Sequence, residues 1–330
     1  MSATKQTLEE RIIGDLRSQR SFRFSSAWRP RKSAAVVVPI IRDGSPRARG
    51  YLTIQEAKAV EIQDTGSIGA VRITNKEKLP VFVRVGSILQ GKGTQSRAVS
   101  KSVMIAPGQM VEAKVNCVHH SHHIDMTAAF VAQSAHLAPA SVEKELVGGD
   151  QGRVWSAVSN YGAAKHAMGG GEPAERGDNL AGMMDLNDRF TELVDELAKE
   201  IPNHEQQVGV VVFDDRGVYG LEVFGSPESW RVFNDAVVEK FGEVLVRRFD
   251  ERVLDIRVKD ENVLPSITTF LDALGRGEQT SESESVSETI KVMGAVCGEA
   301  TFVGGEFVHL TAVRDEEYEA PAGFEANLIW

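Results

Sequence analysis

The spacing of apolar residues changes along the chain from a strand-like to a helix-like pattern, and this change limits the possible fold classes most strongly. Between residues 35 and 118, β-branched runs alternate with Gly, Asn and Pro turns, a pattern typical of short strands. Helical patterns dominate from residue 139 onward, and they enclose QVGVVVFDDRGVYGLEVFG, which indicates a β-hairpin around an Asp-Asp-Arg-Gly turn. We therefore expect an α+β protein with a β-rich N-terminal sheet or sandwich, packed with a second layer of strands and long amphipathic helices.

The same patterns predict the domain organisation. The segment LNDRFTELVDELAKEI is a strongly amphipathic helix, and the next predicted helix has Ser226 as its cap and Pro227 at its first position. The predicted units are a basic aromatic N-terminal arm (1–33), a β-rich domain (34–138), an α+β part (139–314) with mobile loops near 169–182 and 277–288, and an acidic C-terminal tail (315–330).

Composition narrows the classes of partner. The formal net charge of −10 disfavours general binding to nucleic acid, because a phosphate backbone selects for Lys and Arg. The arm at 17–32 is the exception, since its basic residues alternate with aromatic ones. It either binds single-stranded nucleic acid or an acidic partner surface, or packs its aromatic side chains on the body or on a neighbouring subunit. The two cysteines fit a reducing compartment, and no run reaches the roughly 18 apolar residues of a spanning helix. We expect a soluble cytoplasmic protein without a membrane partner.

The acidic tail ends in Leu328, Ile329 and Trp330. Exposure of these three apolar side chains to water is unfavourable. We expect them to dock on this chain or on a symmetry mate. An exchange of arm and tail between subunits would make the protein a homo-oligomer.

The run from residue 50 to 119 carries a recurring set of short motifs. They are Leu52 with Thr53, Asn75, Pro80 with Val81, Gly91 followed by Gln95 and Arg97, Ala106 with Pro107, and Cys117. With the later GRVWSAV and VGVVVFDDRGVYGLEVFGSPESW, this run resembles the uncharacterised domain family named for its association with ADP-ribosylglycohydrolases and rhodanese-phosphatases. The resemblance implies a link to ADP-ribose handling, and it marks Gln95, Arg97 and Cys117 as candidates. The chain departs from the family after Cys117, where histidines replace an acid.

The segment LQGKGTQSR contains the candidate ligand-binding residues Gly91, Lys92, Gln95 and Arg97. Backbone N–H groups of such a loop, with the two cationic side chains, suit a phosphate or pyrophosphate. A plain hairpin connection with Arg97 paired to a carboxylate explains the segment equally well. Arg153 is a further ligand-binding candidate and a potential partner for Glu222.

Four histidines and an aspartate cluster in CVHHSHHID. The candidate metal ligands are His119, His120, His122, His123 and Asp125, which could hold zinc or another divalent metal. Residues at i and i+2 on one strand lie about 7 Å apart, so a second segment containing His136, Glu143 or His309 would have to complete the ligand set. A pH-sensitive loop or subunit contact and an ordinary polar loop are the alternatives.

Two residues are candidates for catalysis. Cys117 next to imidazoles could act as a nucleophile, although a cysteine at a strand end is more often a buried small hydrophobe. Glu222 lies within the apolar strand YGLEVFG and is either solvent-facing or a buried acid with a partner, Arg153 or Arg97.

These residues together predict binding or processing of an ADP-ribose-like or nucleotide-like ligand. The alternatives are a non-catalytic homo-oligomeric scaffold and a metal-dependent hydrolase that uses the histidine cluster. The sequence leaves open whether the protein is an enzyme.

Overall fold

The computed structural model describes residues 6–30, 33–44, 49–91, 94–119, 129–131, 136–167, 179–186, 188–246, 258–316 and 318. The strands are β1 (Phe22–Phe24), β2 (Val36–Arg42), β3 (Leu52–Thr53), β4 (Val60–Asp64), β5 (Ala70–Asn75), β6 (Val81–Val83), β7 (Ile88–Gly91), β8 (Arg97–Val99), β9 (Val103–Ile105), β10 (Met110–Cys117), β11 (Phe130–Val131), β12 (Gln207–Asp214), β13 (Gly217–Phe224), β14 (Glu278–Glu284), β15 (Ser287–Met293), β16 (Val296–Val303) and β17 (Glu306–Arg314).

The helices follow the same chain order. A π-helical turn at Glu9–Ile13 leads into α1 (Gly14–Ser18), and the others are α2 (Ala140–Gly148), α3 (Gln151–Ala167), α4 (Leu180–Met184), α5 (Arg189–Glu200), α6 (Pro227–Lys240), α7 (Gly242–Leu245) and α8 (Asp260–Arg276). Strands and helices are both abundant and the sheets are largely antiparallel, so the expected α+β class is confirmed.

The largest sheet has eight described strands in the order β1-β2-β12-β13-β17-β16-β15-β14. Helices cover both of its faces: α8 and the N-terminal helix pack on one face, while α5, α6 and α7 pack on the other. Every residue of β12 is buried, because a strand covered on both faces needs an unbroken apolar run. The predicted hairpin is confirmed as β12 and β13, which turn at Asp215 and Arg216.

The N-terminal part consists of two smaller sheets around one core. Strands β11-β7-β8-β10-β5-β4 form a six-stranded sheet and β3-β6-β9 form a three-stranded sheet. Side chains of both sheets, including Val83 and Val103 from the smaller one and Ile73 and Val99 from the larger one, pack into a common cluster. This arrangement corresponds to the expected β-rich N-terminal sandwich.

The segment 277–288 differs from the expectation of a mobile loop, because it forms β14 and the turn into β15. Its alternating Ser and Glu residues have the composition of a solvated linker, but they bond to β9 and its flank. Met104 N–H donates to Ser287 Oγ at 2.9 Å, and Thr289 Oγ1 donates to the Ser102 carbonyl oxygen at 3.0 Å. These bonds fasten the hairpin to the N-terminal part.

Parts of the predicted arm and of the predicted β-rich domain lie in the large sheet. Strand β2, which was assigned to the N-terminal β-rich domain, pairs with β12 in the large sheet, and Phe22 of the arm is buried against that sheet. Within the predicted loop 169–182, residues 169–178 lie outside the described residues, and Leu180 begins α4. Most of the predicted tail also lies outside them. None of the helices in the described ranges is both long and apolar enough to cross a membrane.

Candidate functional site

A cluster of charged and polar side chains is buried where the N-terminal part meets the large sheet. Each of its members is at most 1 % exposed. The members of this ion cluster are Arg84, Glu143, Glu222, Lys240, His309 and Thr311. Such burial of several charges requires close pairing, because an unpaired buried charge is costly.

Glu222 on β13 is the centre of the ion cluster. Its carboxylate accepts two hydrogen bonds from Arg84, at 2.6 Å from Nε and 2.7 Å from Nη2. Lys240 Nζ and His309 Nε2 lie 2.7 and 2.6 Å from the same carboxylate. Burial opposes ionisation, but Arg84, Lys240 and His309 together hold the pKa of Glu222 well below its usual range. All four acceptor positions of the carboxylate are filled.

Lys240 ends α6 and connects Glu222 to the second acid. Its three ammonium protons match three acceptors at 2.7 Å: Glu143 Oε1, Glu222 Oε2 and Thr311 Oγ1. Glu143 also accepts from Arg84 Nη1 at 2.6 Å. Two cations therefore face two carboxylates, and the ion cluster is neutral when His309 is neutral.

His309 completes the ion cluster in its neutral form, since burial lowers the pKa of this side chain. Its Nε2 must carry the proton, because Glu222 accepts at that atom and an ionised carboxylate cannot donate. The other ring nitrogen, Nδ1, is buried and has no hydrogen-bond partner in the described part of the chain. Phe82 and Phe224 pack beside the ring.

Gly86 makes room for the ion cluster. Its φ of +79° lies in the left-handed region, and a Cβ at this position would lie 2.5 Å from Glu143 Oε2 and 3.0 Å from Arg84 Nη1. Only glycine satisfies both the backbone angle and the close approach.

The ion cluster lies directly behind a large cleft. Phe307 and Val308 of β17 line this cleft, while the next residue, His309, belongs to the cluster. Pro80 lines it immediately before β6, and Arg84 follows β6. The Arg84–Glu222 pair therefore joins the two parts of the chain whose edges form the cleft, and it helps to set the spacing between them.

We call this feature the arginine cleft. It encloses about 670 Å³ between the π-helical turn with α1, the start of α6 and the β-rich N-terminal part. Among the residues that line it are Arg11, Arg42, Arg49, Tyr51, Ser226 and Phe307. Cavities of this size at the junction of two structural units are common ligand sites.

The three arginines differ in the charge that they leave available. Arg49 pairs with both Glu56 oxygens at 2.6 Å, and Arg11 pairs with Glu288 at 2.6 Å. Arg42 donates to the Gly225 carbonyl oxygen and pairs with no carboxylate among the described residues. Arg49 Nη1 is buried without a hydrogen-bond partner in those same ranges. Arg42 and this nitrogen are the donors that an anionic ligand would use.

Aromatic side chains form another part of the cleft wall. Tyr51 Oη lies 2.8 Å from Ser229 Oγ in the first turn of α6, and burial raises the pKa of Tyr51, so the phenol stays neutral. The Arg49 guanidinium lies 5.3 Å from the Tyr51 ring centroid. Phe307, also half-buried, packs edge-on against Phe22.

Three of the residues predicted from the sequence, Gln95, Arg97 and Cys117, lie together at the six-stranded sheet and outside the arginine cleft. Arg97 lies opposite Cys117 in the pairing of β8 with β10, and its Nη1 donates to the backbone and side-chain oxygens of Gln95 at 3.0 and 3.1 Å. Gly91 ends β7, where a Cβ would lie 2.4 Å from the Thr94 carbonyl oxygen. Lys92 lies outside the described residues. Gly91, Gln95 and Arg97 are not among the described residues that line the arginine cleft.

Cys117 is fully buried and unbridged at the end of β10. Its Sγ donates to the His119 carbonyl oxygen at 3.2 Å, and Gln151 bonds to its backbone N–H and C=O, each at 2.8 Å. His119 is half-buried and bridges to Asn179. The remaining predicted metal ligands, His120, His122, His123 and Asp125, lie outside the described residues.

All three residues suggested to complete a metal site have other partners. Glu143 and His309 belong to the ion cluster, and His136 Nδ1 lies 2.6 Å from Glu239 Oε2. Among the described residues, no group of three or more His, Cys, Asp or Glu side chains is placed to hold a metal ion. The metal site and the homo-oligomer stay predictions.

Arg153 is exposed in the first turn of α3, where its backbone N–H donates to Asp150 at 2.8 Å. The partners of Glu222 are therefore neither Arg153 nor Arg97 but Arg84, Lys240 and His309. Sequence reasoning missed Arg84, although a charged residue inside the apolar run PVFVRVG is the same signal that singled out Glu222.

Comparisons with known proteins identify the family. No curated protein and no solved structure matches the chain. A family model does match, over residues 27–313, which span most of both parts of the fold. The chain therefore belongs to the ARPP-1 family, described as the ARG and Rhodanese-Phosphatase-superfamily-associated Protein domain.

Proposed function

We propose that the chain binds a nucleotide-like, ADP-ribose-related ligand in the arginine cleft. The observation that carries the proposal is the presence of Arg42, Arg49 and the half-buried rings of Tyr51 and Phe307 on one cleft of about 670 Å³. Guanidinium groups bind phosphate oxygens through paired N–H donors. Aromatic rings stack on nucleobases. A ligand that carries both a phosphate and a base uses both kinds of group.

The position of the cleft supports this proposal. Ser226 caps α6 at the cleft edge, where its Oγ accepts from Ser229 N–H at 3.2 Å. The positive end of the α6 dipole therefore adds to the field of the arginines. An anionic ligand that enters the cleft is attracted by both.

The proposal concerns binding, because the two predicted catalytic residues lie elsewhere. Cys117 and Glu222 are fully buried, and neither lines the arginine cleft. A catalytic role for either residue stays a separate prediction. The association with ADP-ribosylglycohydrolases remains an expectation from the resemblance, and it determines which ligands are tested first.

A thermal-shift panel of ADP-ribose, NAD, ADP and free ribose tests the proposal. We expect the phosphate-bearing nucleotides to raise the melting temperature and ribose alone to leave it unchanged, because a ligand that binds the folded state stabilises it. Tyr51→Phe keeps the ring and should retain the shift, whereas Tyr51→Leu should reduce it. The proposal fails if no nucleotide shifts the wild-type protein, or if Tyr51→Leu responds as the wild type does.

A further inference from the structure

A second cavity lies where β10, the α2–α3 junction and the β14–β15 hairpin meet. It encloses about 440 Å³, and none of its described lining residues also lines the arginine cleft. The lining residues that matter for its chemistry are Lys101, Lys114, Asn116, Glu282, Lys291 and Glu299. We call this cavity the lysine pocket.

Two carboxylates already pair with lysines of the lysine pocket, because Lys101 Nζ lies 2.7 Å from Glu284 as well as close to Glu282. Lys114 Nζ lies 3.0 and 2.8 Å from the two oxygens of Glu282, and Lys101 Nζ lies 3.1 Å from one of them. The Glu282 side chain is 44 % exposed, so its contacts with the lysines are open to competition from solvent and from other anions. An anionic group of a ligand would compete with Glu282 for both lysines.

Lys291 supplies a third cation. Its Nζ donates to the Gly148 carbonyl oxygen at 3.3 Å, and it pairs with no carboxylate within the described ranges. Its positive charge is therefore available to an anion in the pocket.

Asn116 also lines the lysine pocket, and it offers an acceptor that the described part of the chain leaves unused. Asn116 is 5 % exposed, and its Nδ2 donates to Gln151 Oε1 at 3.4 Å. Its Oδ1 is buried and has no hydrogen-bond partner among the described residues. Buried acceptors are nearly always paired, so this unpaired oxygen in the wall of a cavity indicates a missing donor.

Glu299 provides a second buried polar group in the wall of the lysine pocket. It is 1 % exposed, and its Oε1 accepts from Ser102 N–H at 2.8 Å. Burial raises the pKa of Glu299 to about 7. At neutral pH this carboxyl group can accept a hydrogen bond from a hydroxyl when ionised and donate one when protonated.

We propose that the lysine pocket is a second binding site, which takes a small hydroxylated phosphate. The phosphate binds between Lys101, Lys114 and Lys291 and replaces Glu282. A hydroxyl of the same ligand donates to Asn116 Oδ1, and another contacts Glu299. The ligand needs both features, because the anionic group satisfies the lysines and the hydroxyl satisfies the unpaired amide oxygen.

Calorimetric titration with ribose 5-phosphate tests this site, with inorganic phosphate and free ribose as the two incomplete ligands. We expect ribose 5-phosphate to bind more tightly than either. Asn116→Ala and Lys101→Gln should each weaken binding by about tenfold, the effect of losing one charge-assisted or buried hydrogen bond. The surface variant Lys76→Gln, which removes only an exposed pair with Glu61, should leave the affinity unchanged.

Glu282→Gln gives the sharpest comparison, because it removes the competing carboxylate and should tighten binding several-fold. A folding defect would not produce that gain. The proposed site is overturned if ribose 5-phosphate does not bind, if inorganic phosphate binds as tightly, or if Asn116→Ala binds as the wild type does. Unchanged affinity in Glu282→Gln also overturns it.

Discussion

Arg84 and Glu222 form a two-point ion pair, with N···O distances of 2.6 and 2.7 Å, across the junction between the N-terminal part and the large sheet. The two residues are 138 positions apart in the chain, and neither side chain is exposed. The pair therefore links the two parts of the fold and helps to define the arginine cleft in front of it.

Glu222→Gln should destabilise the protein strongly. The substitution leaves Arg84 and Lys240 buried with one carboxylate between them, and breaking a buried pair in this way costs about 3–5 kcal/mol. Urea unfolding measures the loss. The control is Glu112→Gln, which breaks the exposed pair between Arg72 and Glu112 and should cost about 1 kcal/mol or less. Equal losses in the two variants would contradict the role of the ion cluster.

Gly86→Ala should also disturb the ion cluster. The added Cβ would lie 2.5 Å from Glu143 Oε2, so we expect a loss of about 3 kcal/mol or more in the free energy of unfolding. Gly108 has a similar φ of +73° but open space around it. Gly108→Ala should therefore cost only the backbone strain, about 1–2 kcal/mol. If both variants unfold at the same urea concentration, the contact with Glu143 has no effect on stability.

Glu299 should make stability fall as the pH rises. Its folded-state pKa of about 7 lies above the ordinary value of 4.5, so between those two pH values the folded state binds more protons than the unfolded state. Linkage then lowers the free energy of unfolding by roughly 3 kcal/mol across that window, with little further change above it. Urea titrations of wild type and Glu299→Gln from pH 5 to 8 measure the difference. Parallel curves for the two proteins would refute the raised pKa.

His136 should contribute stability at a different pH. The hydrogen bond to Glu239 raises the pKa of His136 above 6.5, and a raised histidine pKa means that the stabilisation is complete below the unfolded pKa. It is lost as the pH rises through the folded-state value. The melting temperature of wild type should fall towards that of His136→Gln over this range. A gap between the two that stays constant from pH 6 to 9 would exclude the effect.

Local patterns predicted the elements whose structure depends on neighbouring residues. The cap at Ser226, the amphipathic helix α5 and the hairpin at Asp215 all appear in the structure. Strand β14 and the turn into β15 did not follow from their sequence, because their Ser and Glu residues bond to distant partners in β9 and to Lys101 and Lys114. Composition carries no information about such distant partners.

The candidate site was less predictable for the same reason. An acid within an apolar strand marked Glu222, but its partner Arg84 follows a strand of another sheet, and local spacing cannot select it. Arg42, Arg49 and Phe307 meet in the cleft from three separate segments. Their convergence depends on the way the N-terminal part packs against the large sheet.

Calorimetric titration of ADP-ribose into wild type, Arg42→Gln and Arg216→Gln tests the central proposal most directly. Arg216 is exposed in the β12–β13 turn, at the far end of the sheet from Arg42, so its variant has the same loss of charge outside the cleft. We predict saturable binding to wild type and Arg216→Gln, with affinity at least about tenfold weaker in Arg42→Gln. An absence of binding to wild type, or equal affinity in all three proteins, would contradict ligand binding in the arginine cleft.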